Sequence, residues 1–163
     1  MTNAATGSEG WNVIGKTSGS VDGTAATREI APRMEEQSAA RRVLVVDDEP
    51  LIRWAIAETL AGLGYSVVEA GDGESALDVV AEASQPFSVV LLDYRLPDSD
   101  NLSLLSTIRR MAPDSKVMMM TAFGTPDLIE GALQRGACCV MNKPFDMRDL
   151  AAAVQYACPD RPH

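Results

Sequence analysis

Short apolar runs that alternate with stretches of helical periodicity limit the folds open to this chain more than any other feature of its sequence. The runs at 43–46, 66–69, 88–93, 116–120 and 138–142 read as strands. Helices are expected at about 50–62, 74–83, 102–111, 126–134 and 146–156. The first is the clearest. Pro50 suits its first turn, Ile52, Ala55, Ile56, Thr59, Leu60 and Leu63 recur on one face, and Gly62 and Gly64 stop it. In the second, Leu77, Val80 and Ala81 supply the packing face. Five strands joined by right-handed helical crossovers make an α/β, doubly wound, parallel sheet, and five strands suit the order 2-1-3-4-5.

Four of the runs end on polar residues. Asp47 and Asp48 follow the first, Asp93 closes the third, Thr121 follows the fourth and Lys143 the fifth. In an open parallel sheet, ligands bind beyond the carboxyl ends of the strands, so these five side chains are expected in one crevice. Three carboxylates crowded there repel one another, and a divalent cation with oxygen ligands, Mg²⁺, relieves the repulsion. Asp93 is then a nucleophile for phosphorus, Lys143 a point charge for phosphoryl oxygens and Thr121 a hydrogen-bond donor. A blander reading makes the acids helix caps and Lys143 a surface ion pair. It serves for any one residue but poorly for five at the ends of four strands.

Composition narrows the partners. With 163 residues, 46% hydrophobic, the chain is long enough for one real core. A net charge of −9 argues against direct nucleic-acid binding, which needs clustered Lys and Arg. No apolar run approaches a membrane span and no secretory leader opens the chain, so a cytoplasmic protein is expected, with Cys138, Cys139 and Cys158 as free thiols. Cys138 and Cys139 fall on a strand expected to be buried. Residues 1–40, rich in Gly, Ser, Thr and Ala, are expected to be a disordered extension, 41–157 the domain and 158–163 a polar tail.

The motifs Val45-Val46-Asp47-Asp48-Glu49-Pro50, Leu92-Asp93-Tyr94-Arg95-Leu96-Pro97-Asp98, Met120-Thr121-Ala122 and Asn142-Lys143-Pro144-Phe145 resemble those of response-regulator receiver domains of two-component systems. The resemblance covers about residues 42–156, and its phrasing looks closest to receivers of nitrogen-regulation activators. It implies a flavodoxin-like, CheY-like fold with Asp93 as phosphoacceptor and Thr121 and Lys143 in the roles above. The implied Mg²⁺ ligands are Asp48, Asp93, the main-chain carbonyl of Arg95 and, through water, Asp47. The Lys143-Pro144 bond is expected to be cis. The implied partners are a sensor histidine kinase or phosphotransfer protein and, through 126–156, a downstream protein or a second copy. Such a protein catalyses only its own phosphorylation and dephosphorylation. The sequence suggests a single-domain regulator, against two alternatives: a phosphorylation-independent adaptor, or the receiver fragment of a transcription factor.

Two positions depart from the family pattern. Asn101 stands where receivers commonly have Gly, and Asn is the next best residue for left-handed backbone. Val140 stands where the family usually has an aromatic that follows the threonine, and a β-branched side chain has no ring to swing. Phe123 is the only large side chain in the loop after Thr121 and is expected to carry the displacement instead. One motif is a decoy. Gly10-Trp11-Asn12-Val13-Ile14-Gly15-Lys16-Thr17 matches the phosphate-loop pattern, but no strand precedes it and turn-rich sequence follows.

Overall fold

A computed structural model describes residues 40–158. The phosphate-loop pattern at 10–17, and nearly all of the expected extension and tail, lie outside the described residues. Ten elements alternate: β1 (Arg42–Val46), α1 (Pro50–Gly62), β2 (Ser66–Ala70), α2 (Gly73–Glu82), β3 (Val89–Asp93), α3 (Asn101–Met111), β4 (Lys116–Thr121), α4 (Pro126–Gln134), β5 (Ala137–Asn142) and α5 (Met147–Ala157). All pairings are parallel, in the order β2-β1-β3-β4-β5. This is the doubly wound arrangement read from the sequence.

The helices form by local chemistry that the sequence spells out. Pro50 opens α1 and Pro126 opens α4, where a missing N–H costs nothing. Side chains of Asp72, Thr125 and Asp146 accept the amides of Ser75, Leu128 and Arg148, capping α2, α4 and α5. Gly64, at φ +91°, turns the chain out of α1 through a backbone region that side-chain-bearing residues avoid.

Two apolar layers sandwich the sheet. On one side Ala76 of α2, Leu104, Leu105 and Ile108 of α3 and Ala132 of α4 pack on Leu44, Val46, Val90, Leu92 and Met119. On the other, Ile56 and Leu60 of α1 and Leu150 and Val154 of α5 pack on Val43, Val45, Val89, Leu91, Met118 and Met120. The methionine run of β4 is thus core filling, with all three side chains fully buried.

Four local expectations need correction. Ala81 is exposed, and Ala76 takes the buried place on α2, because five residues of helix turn position 81 well away from the face that Ala76 presents to the core. Leu63 is 48% exposed, since it lies beyond the last turn of α1. Asn101 opens α3 in helical conformation, and no described non-glycine residue has left-handed backbone. Cys138 is exposed rather than buried, because β5 is an edge strand. Among the described residues, no helix is long and apolar enough to cross a membrane.

Candidate functional site

The parallel registers stop β1, β3, β4 and β5 at one end of the sheet, so the residues that close them meet there. Asp47, Asp93 and Thr121 are buried at 0%, 4% and 1% exposure, whereas Asp48 and Glu49 face solvent. Lys143 ties them together. Its ammonium donates to Asp47 Oδ2 at 2.8 Å and stands 3.4 Å from Asp93 Oδ1 and 3.8 Å from Glu49 Oε1. The Lys143-Pro144 bond that follows is cis.

Charge governs this end of the sheet. Burial, then the neighbouring Asp47 charge, raises the Asp93 pKa to about 6, while Lys143 and the Arg95 amide, 3.3 Å from Asp93 Oδ1, pull it down. Burial works against the Lys143 ammonium. The Asp47 hydrogen bond and the Asp93 and Asp47 charges outweigh it and hold the lysine above its ordinary range. Asp93 is therefore largely ionised at neutral pH and Lys143 fully so. A buried carboxylate and a fixed cation stand side by side.

Carboxylate oxygens of Asp47, Asp48 and Glu49 lie within 4.8 Å of one another. Asp93 is linked to that group through Lys143. Hard oxygen donors in this density suit Mg²⁺, which takes one or two carboxylates and keeps waters for incoming phosphate oxygens. Thr121 Oγ1 accepts the Phe123 amide at 3.2 Å, which leaves the hydroxyl proton free to donate elsewhere. Over the same mouth, the Arg95 guanidinium lies 5.1 Å from the Phe123 ring centre.

All five strand-end residues named from the sequence therefore converge, with Arg95 beside them. Three contributors were not foreseen. Glu49 completes the carboxylate group, and the signal was present in the unbroken Asp47-Asp48-Glu49 run. Arg53 donates to the main-chain oxygen of Asp47 at 2.7 Å and pairs with Glu69 at 3.2 Å, steadying the β1 exit. Asp98 accepts the amides of Gly73 and Glu74, both at 2.9 Å, tying the loop after Asp93 to the start of α2.

Residues 43–155 match the family described as the response regulator receiver domain. The chain belongs to that family. Members act in two-component signalling, interact with histidine kinases or phosphotransfer proteins, and characteristically carry an aspartate that is phosphorylated and an acidic pocket for Mg²⁺. The transcriptional regulatory protein PdtaR of Mycobacterium tuberculosis is 39% identical over 125 residues, 75% of this chain and 58% of PdtaR. The DNA-binding transcriptional regulator NtrC of Escherichia coli is 37% identical over 115 residues, 71% of this chain but only 24% of NtrC. The chain thus spans less than two thirds of PdtaR and about a quarter of NtrC. A CheY-like receiver domain protein from Methanospirillum hungatei superposes with a TM-score of 0.68 at 27% identity, covering 72% of this chain and 93% of that one.

Proposed function

We propose that this receiver accepts a phosphoryl group on Asp93 from a histidine kinase or phosphotransfer protein and signals onward by protein contact. The observation that carries the reading is the Lys143 ammonium bridging Asp47 and Asp93. A structural ion pair needs one carboxylate. A second, buried and forced upward in pKa beside the same cation, is what a phosphorus nucleophile requires.

In this reading an Asp93 oxygen attacks phosphorus while the donor's P–N bond breaks, and the donor nitrogen leaves with the bonding electrons. Lys143 then faces the phosphoryl oxygens and Thr121 donates its free hydroxyl proton to one of them. Asp48, Asp93 and the Arg95 carbonyl would hold Mg²⁺, with Asp47 reaching it through water, and the ion would neutralise charge on the transferring group. Output would run through residues 126–156, to a target or a second copy, a reading supported by Lys143 and Thr121 standing at the ends of β5 and β4. A phosphorylation-independent binding module is the second reading. Val140, packed half-buried against the core, favours it.

Incubation with Mg²⁺ and acetyl phosphate, followed by intact-mass and peptide mass spectrometry, separates the two. A single phosphoryl adduct on Asp93, absent from Asp93→Asn and from samples with chelator, is expected. Equal labelling of wild type and Asp93→Asn, or none of either, would refute the assignment.

A further inference from the structure

Successive residues of a regular strand point to opposite faces of the sheet, so adjacent cysteines in a strand ordinarily do not meet. β5 is not regular where its cysteines lie. Against β4, Val117 is paired with Ala137 and Met118 with Cys139, so Cys138 is an extra residue without a partner opposite. The packing agrees. Ala137 joins the layer under α2, α3 and α4, while Cys139, two residues on, joins the layer under α1 and α5. Unbroken alternation would send both to one face. The bulge resets the alternation, so the Cys138 and Cys139 side chains are no longer held on opposite faces of the strand.

The two sulfurs are also unequal in their surroundings, Cys138 being exposed and Cys139 half-buried. Hydrogen bonding from Cys139, with help from the Lys116 charge, outweighs burial and brings the Cys138 thiol down to about 7. The same hydrogen bond, then burial, drives Cys139 far upward. Peroxide in solvent thus meets Cys138 first, while Cys139 packs against the layer under α1 and α5. Cys158, which ends α5 and packs into the same layer, is raised by burial, against the opposing charge of Arg41. The cysteine pair lies at the start of β5, at the opposite end of that strand from Asn142 and Lys143.

We propose that Cys138 and Cys139 form a peroxide-reactive dithiol, with Cys138 the nucleophile and Cys139 the resolving thiol. The Cys138 thiolate attacks one oxygen of hydrogen peroxide; the S–O bond forms, the O–O bond breaks and hydroxide leaves, giving a sulfenic acid. Hydroxide takes the Cys139 proton and becomes water. The Cys139 sulfur then attacks the Cys138 sulfur, S–S forms, S–O breaks and a second hydroxide departs. The thiol pair loses two electrons and the peroxide gains them. Neighbouring Cα atoms are about 3.8 Å apart, closer than the span a relaxed disulfide prefers. The product is therefore strained and readily reduced, the property of a switching bond rather than a structural one.

The full chain, reduced and then treated with equimolar hydrogen peroxide, should lose the mass of two hydrogens, and peptide mapping should place the bond between Cys138 and Cys139. Dithiothreitol should reverse it. In Cys139→Ser, dimedone should trap a sulfenic acid on Cys138, and in Cys138→Ser the peroxide reaction should slow by about tenfold or more, toward the rate of an ordinary thiol. Wild-type mapping decides the matter without relying on either variant. A bond to Cys158, or oxidation of the three cysteines at equal rates, would overturn the proposal.

Discussion

Asp93 sits where a negative charge is costly, buried and next to Asp47, and its pKa near 6 measures that cost. A carboxyl group raised on folding favours the folded state below its unfolded value, 3.8, and loses that contribution as pH climbs through 6. Asp93→Asn keeps the shape and removes the charge. In Mg²⁺-free buffer it should be more stable than wild type at pH 7.5, by up to about 3 kcal/mol, with the margin closing toward pH 4. Urea denaturation at both pH values checks this; a margin that ignores pH would show that Asp93 burial is not the cause. The meeting of Asp47, Asp48, Asp93, Thr121 and Lys143 was legible in the sequence because each lies at or just past the end of an apolar run and parallel strands end together. The part played by Arg53 was not. It acts on the main-chain oxygen of Asp47, and no side-chain pattern encodes a backbone partner.

Elements were legible for a similar reason. The period of the apolar residues separated strands from helices, and Gly64, Pro50 and Pro126 marked boundaries that the backbone obeys. The burial of β5 was misread because its letters, Ala137-Cys138-Cys139-Val140-Met141, are as apolar as those of β4. Only position in the sheet distinguishes an edge strand from a central one. The start of α2 was read to within a residue, but what holds it lay beyond local reading. Asp72 caps the helix locally through Ser75, yet Asp98, from a distant loop, accepts the first two amides of that helix. Those bonds hold the Asp98 carboxyl below its ordinary range, so the tie is fully present above that range and is lost as pH falls beneath it, through the lowered pKa. Asp98→Ala should speed hydrogen exchange at Gly73 and Glu74 at pH 6, and Asp98→Asn should do so less. Unchanged exchange at both amides would mean that Asp72 alone caps the helix.

At the scale of the whole molecule, the proposed function requires a route by which phosphorylation of Asp93 would reach α4, β5 and α5. Three contacts converge on the loop after β4. The Thr121 hydroxyl oxygen holds the Phe123 amide at 3.2 Å, the Phe123 ring lies under the Arg95 guanidinium from the loop after Asp93, and Gly124 runs so close to Asn142 that a Cβ there would collide with its side-chain oxygen. If Thr121 turns to donate to a phosphoryl oxygen, it weakens its hold on Phe123. The loop then moves against the end of β5. Val140 cannot report the movement, because it is small, branched and half-buried against the core layer under α2, α3 and α4. Phe123 is 66% exposed, so its removal leaves no cavity, and its ring meets the Arg95 guanidinium rather than the Arg95 carbonyl assigned to the metal. Phe123→Ala should therefore leave acetyl-phosphate labelling of Asp93 near that of wild type. It should also shrink the amide chemical-shift changes that beryllofluoride, a phosphoryl mimic, induces along residues 126–156. Arg95→Gln should act in the same direction, since it removes the cation from the ring while keeping the main-chain carbonyl. If both variants give the wild-type pattern of shifts across α4, β5 and α5, the signal leaves the site by another path.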